Sequence, residues 1–86
     1  MSEKYQQFLE VLRTQIQFPS YYLFKFIVKL EYQKDLEQIF AGEKIEIHPS
    51  KKGNYISLSC QKLVTTPEEV VEIYTKAALI PGVISL

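Results

Sequence analysis

Residues 43–63, EKIEIHPSKKGNYISLSCQKL, contain two runs of alternating apolar and polar residues on either side of a short polar segment. A period of two marks a strand with one buried face. It points Ile45 and Ile47 inward in the first run and Ile56, Leu58 and Cys60 inward in the second, with Tyr55, Ser57 and Ser59 outward. The Pro-Ser-Lys-Lys-Gly-Asn segment between them is turn chemistry, so the stretch predicts a β-hairpin. With Ser50 to Gly53 as the loop, Ile47 faces Ile56, Ile45 faces Leu58, and His48 lies across from Tyr55. A two-residue Gly53-Asn54 turn would set Ile47 opposite Cys60 and Ile45 opposite Lys62. Both registers keep the apolar residues on one side, and a slip of one residue would not. The first is favoured. Pro49, which has no N–H to donate, then requires an edge strand.

Upstream, YYLFKFIVKL (21–30) is aromatic and β-branched, with Tyr22, Phe24, Phe26, Val28 and Leu30 on one face. Its other face, Leu23, Lys25, Ile27 and Lys29, is mixed, which predicts a central strand partly covered on both sides. A short helix from about Gln33 to Ala41 would bury Leu36, Ile39 and Phe40, and Gly42 is placed to end it in the left-handed conformation. Before Pro19, the residues Tyr5, Phe8, Leu9, Leu12 and Ile16 recur at helical spacing, predicting an amphipathic helix over 3–17. Downstream, Thr66-Pro67-Glu68-Glu69 reads as an N-cap, a proline at N1 and a capping-box glutamate at N3. Val70, Ile73, Tyr74 and Ala77 form the buried stripe of that helix, and GVISL (82–86) closes the chain as a strand.

Apart from the first helix, the order is β-α-β-β-α-β, the split βαβ pattern of ferredoxin-like α+β sandwiches. Right-handed crossovers then give an antiparallel sheet ordered 4-1-3-2 with both connecting helices on one face. The 86 residues make one domain, with 3–17 an additional helix and 18–86 the two-layer core. A chain this short buries only about 60% of its unfolded surface.

Four segments, FPSYYLFK, PSKKGNYISLS, PEEVVEIY and IPGVISL, together resemble the YbeD-like family of small bacterial proteins of unknown function. The likeness runs from Phe18 to Leu86 and is most specific over Pro49 to Tyr55, with Ser57 two residues on. It implies a ferredoxin-like fold similar to the ACT regulatory domains, and a regulatory or ligand-sensing role. Two features depart from the family: the first core helix is shorter, and the helix before Phe18 is an addition. ACT domains that bind amino acids use a glycine-containing loop after the first strand, whereas the equivalent LEYQKDLEQ here has none.

The chemistry-bearing residues are few. Ten Lys and Arg against ten Asp and Glu leave a formal net charge of zero, which argues against nucleic acid as the main partner. His48 is the only histidine and Cys60 the only cysteine, too few for a structural zinc site or a nucleophile–base pair. No enzymatic activity, metal or cofactor is expected. The lone cysteine and the charged N-terminus, which does not read as a signal peptide, point to the cytoplasm, and no segment is long and apolar enough to span a membrane. The hairpin loop is not a P-loop, because its lysines precede the glycine. His48, Ser50, Lys51, Lys52, Gly53, Asn54, Tyr55 and Ser57 remain as a candidate surface for a small anionic ligand or a protein partner, a homodimer being one form of the latter. Single-stranded RNA on the open sheet face is the alternative, since RNA-binding domains share this topology.

Overall fold

The computed structural model describes residues 3–86. Helix α1 spans Glu3–Gln15, β1 Ser20–Lys29, α2 Gln33–Ile39, β2 Glu46–Pro49, β3 Tyr55–Val64, α3 Pro67–Ala77 and β4 Ile84–Ser85, with a single 3-10 turn at Leu30–Tyr32 between β1 and α2. The sheet runs β2-β3-β1-β4 with every neighbour antiparallel, which is the expected 4-1-3-2 order read from the other edge. This mixed α/β architecture is that of a ferredoxin-like sandwich.

The alternation read from the sequence is what lays the sheet on its helices. In β1, Phe24, Phe26 and Val28 are fully buried, and in β3 Ile56, Leu58 and Cys60 meet them across the ladder as Val28–Ile56, Phe26–Leu58 and Phe24–Cys60. Leu36, Phe40, Val70, Val71 and Ala77 close the layer from α2, α3 and the turn after α2. Aromatic rings meet at the centre. Tyr74 lies edge-on to Phe8 at 5.6 Å and to Phe26 at 5.5 Å, and Phe24 packs on Phe40 at 5.6 Å. Each such pair adds about 0.5–1.5 kcal/mol beyond the area it buries.

Helix α1 belongs to the helical layer, not the open side of the sheet. Its Leu9 and Leu12 are buried in the common core, and Arg13 joins Glu68 of α3 at 2.6 Å. Glu68 lies below the usual carboxylate range because its backbone hydrogen bond, and then Arg13, favour the ionised form. The α3 cap forms with one difference from expectation. Thr66 Oγ1 accepts from Glu69 N at 3.3 Å, but the Glu69 carboxylate reaches back to the N–H and hydroxyl of Thr65 instead of to Thr66 N.

Four expectations are corrected. The strand β1 ends at Lys29, and Leu30 is half exposed in the 3-10 turn instead of continuing the buried face. Ile45 lies before β2 and is only half-buried. The outer face of β1 is not covered by any of the described residues, and Leu23 is 60% exposed there. The hairpin register falls midway between the two considered, pairing Ile47 with Leu58, His48 with Ser57 and Pro49 with Ile56. The physical reason is the closing pair. Ser50 N donates to Tyr55 O at 2.8 Å and Tyr55 N to Ser50 Oγ at 3.2 Å, so Ser50 ends the ladder and the loop is Lys51 to Asn54.

Two outcomes follow from this packing. Leu12→Ala should lower unfolding free energy by about 2–5 kcal/mol in urea titrations, because it removes a buried side chain holding α1 to the core. Burial, and then the Tyr22 hydroxyl at 3.4 Å, push the Tyr74 phenol well above its ordinary value. The folded state therefore keeps a proton that the unfolded chain loses near pH 10, so stability should hold below that pH and fall above it. Tyr74→Phe should remove that part of the alkaline loss, measured as urea midpoints between pH 8 and 11.

Candidate functional site

The hairpin loop is built by its own hydrogen bonds. Gly53 N donates to Ser50 O at 3.0 Å, closing a β-turn, and Gly53 takes a φ of +75°, a conformation that disfavours side chains. Leu30 N donates to Asn54 O at 3.0 Å, tying the loop to the end of β1. The N–H groups of Ser50, Gly53 and Tyr55 are thus already engaged, and an anion at this loop would be met chiefly by the exposed ammonium groups of Lys51 and Lys52.

The candidate residues fall into three places. His48, Ser50, Tyr55 and Ser57 surround a shallow depression of about 240 Å³ whose other walls are Ile27, Pro49 and Ile56. There Ser57 Oγ donates to His48 O at 3.4 Å, and His48 Nε2 lies 3.8 Å from Glu46 Oε2, both side chains being exposed. Gly53, Asn54 and Tyr55 line a more open hollow of about 600 Å³ with Lys29, Leu30 and Glu31. Tyr55 stands between the two. Lys51 and Lys52 project from the tip and line neither. His48 lies across from Ser57, not Tyr55, which pairs with Lys29.

The depression opens onto a larger surface that the sequence reading only partly reached. Ile84, Ile27, Ser57 and His48 form one cross-strand row over all four strands, and Leu86 N donates to Lys25 O at 2.9 Å, extending the β4 edge by one residue. With Tyr21, Leu23 and Leu63, these residues make a mixed apolar and polar sheet face opposite the helices. Ile84 and Leu86 are 49% and 61% exposed. They lay outside the candidate set because only register shows that the last strand shares this face; the parity of β1 was the available signal for Ile27.

Charge is divided between the two sides. Lys25, Lys29, Lys51 and Lys52, on the open face and the loop, have no ion-pair partner among the described residues. The helices carry seven acidic residues (Glu3, Glu10, Asp35, Glu37, Glu68, Glu69 and Glu72) against Lys4, Arg13, Lys34 and Lys76. The zero net charge therefore hides a basic sheet side and an acidic helix side. Inside the core, burial and then Glu43 push the Cys60 thiol up, keeping it protonated and a poor nucleophile. Among the described residues, no three His, Cys, Asp or Glu side chains converge as a metal site would require.

A family model described as a protein of unknown function, DUF493, matches residues 13–86. The chain belongs to the DUF493 family. No curated protein and no solved structure matches it. The DUF493 match begins at residue 13, inside α1, and not at Phe18. The last turn of the helix, with the arginine that bridges to α3, is therefore within the matched region and is not an addition to it.

The loop geometry separates structural from surface residues. Gly53→Ala should cost about 1 kcal/mol by forcing a side chain into the left-handed region. Lys51→Ala and Lys52→Ala should change stability by no more than about 0.5 kcal/mol. Urea unfolding of the three variants checks both statements.

Proposed function

We propose that this DUF493 member is a non-enzymatic, regulatory binding module of the bacterial cytoplasm, and that it recognises a protein partner across its open sheet face with the 48–57 hairpin at one end. The observation that carries this reading is the one-sided packing. All three helices lie behind the sheet, while Leu23, Ile27, Tyr55, Leu63, Ile84 and Leu86 stay at least partly exposed in front of it. Exposed apolar side chains gathered on one face of a small domain, here set among Lys25, Ser57, Ser59 and Gln61, mark an interaction site. The unpaired lysines around it favour an acidic partner surface and fast encounter. The YbeD-like resemblance and its ACT-like regulatory implication agree with this reading, as does the absence, among the described residues, of any helix long and apolar enough to cross a membrane.

A small anionic ligand would use the same end of the molecule, between Lys51, Lys52 and the depression at His48 and Ser57. Single-stranded RNA is the second reading, favoured by Tyr21 and Tyr55 standing exposed on the sheet beside unpaired Lys25 and Lys29, as base stacking with phosphate contacts requires.

A photocrosslinking phenylalanine analogue placed at Leu23 in cells tests the reading against the same analogue at Val11, which is 54% exposed on α1. A defined protein adduct at Leu23 and none at Val11 is expected, and Lys51→Ala with Lys52→Ala should reduce its yield. An adduct removed by ribonuclease would transfer the assignment to RNA. Equal adducts at both positions would sink it.

A further inference from the structure

The central ladder is longer than the strands that flank it. β1 and β3 pair over ten residues each, from Ser20–Val64 to Lys29–Tyr55, whereas β4 reaches only Phe26 and Ile27, and Lys25 through Leu86. Because Leu30 N donates to Asn54 O, the even-numbered residues of β1 bond to β3. The odd-numbered ones direct their N–H and C=O the other way, as Lys25 O does toward Leu86. At Tyr21 and Leu23 those groups meet no backbone partner among the described residues; only the Ser20 hydroxyl touches Tyr21 O, at 3.3 Å. Their side chains are 66% and 60% exposed, and Pro19 and Lys25 flank this stretch of edge without lying within it. The opposite flank differs, because the segment before β2 runs beside β3 and Glu43 bridges to Lys62 at 3.4 Å.

We propose that the free edge of β1 at Tyr21 and Leu23 takes up a short extended segment of a partner protein as an added strand, apolar at alternate positions and acidic at the position diagonal to Lys25. This rests on the binding-module reading and says how the partner is held. Unpaired main-chain groups in a strand are satisfied by another strand, with alternate side chains supplying specificity. The charge follows from Lys25, which lies on the open face one step along and has no ion-pair partner among the described residues. A second copy fits less well. Pairing Tyr21 with Leu23 of another copy would lay that copy's Pro19 against Lys25, where Leu86 already bonds.

Random heptapeptides displayed on phage, selected on the full chain and then titrated into the isotope-labelled protein, test the proposal. The selected peptides should slow hydrogen exchange at the amides of Tyr21 and Leu23. Tyr21→Pro, which deletes only an outward N–H, should weaken them about tenfold, the loss expected of one main-chain hydrogen bond, and Tyr21→Ala far less. Peptides that shift the open face without protecting those amides would overturn the added strand and leave the binding module standing. Shifts confined to the helical layer would remove both. Failure to select any peptide, or self-association of the free chain that Tyr21→Pro abolishes, would also overturn the proposal. Exchange on the unaltered chain gives the answer even if Tyr21→Pro fails to fold.

Discussion

The ten-residue antiparallel ladder between β1 and β3 is the constraint from which the rest of the structure follows. It fixes which side of each strand is buried, because the side chains of both alternate with the same period and face the same way across every pair. Phe24, Phe26, Val28, Ile56, Leu58 and Cys60 then form a single apolar sheet surface that must be covered. α2, α3 and α1 cover it together, and with all three on that side the described residues leave the other surface bare. The edge strands are secondary. β2 holds four residues and β4 two, and each adds to a sheet whose shape the central pair has already set.

Most of the fold was legible because it rests on local patterns. Thr66-Pro67 and the Val70 to Ala77 stripe define α3 without reference to any other part of the chain, whereas α2 ends at Ile39, two residues before the expected Ala41, and Gly42 takes its positive φ in the turn that Glu43 N closes on Phe40 O. The hairpin shows where such patterns stop. Alternation fixed the parity of the register, and both registers considered share it with the observed one. The observed one is closed by the Ser50–Tyr55 pair, Ser50 N donating to Tyr55 O and Tyr55 N to Ser50 Oγ, which composition does not reveal. The end of β1 was misplaced for a similar reason. Leu30 continues the apolar alternation and its N–H still bonds to Asn54 O in the register of the ladder, but a 3-10 turn begins at this residue and carries its side chain off the buried face.

For the candidate site, parity was again the useful signal. It put Tyr55, Ser57 and His48 on one face, and they gather there around Ile27. It did not place Ile84 and Leu86 on that face, because a strand this short has no periodicity of its own. Nor could a helical stripe such as Tyr5, Phe8, Leu9 and Leu12 say which side of the sheet it would choose. Net charge was the least informative quantity: balanced totals conceal lysines concentrated on the sheet side and carboxylates on the helices, and a partner meets only one side at a time.

The length of the central ladder also bears on how the chain assembles. Its pairs are far apart in sequence, from 26 residues at Lys29–Tyr55 to 44 at Ser20–Val64. Loop-closure entropy is smallest at the hairpin end, where α2 and the β2–β3 turn shorten the effective loop further. Pairing that starts there extends toward Ser20 one residue at a time, so the Tyr21 and Leu23 end closes last. On that order, the stretch of backbone that finds no strand partner among the described residues would also be the last part of the ladder to close.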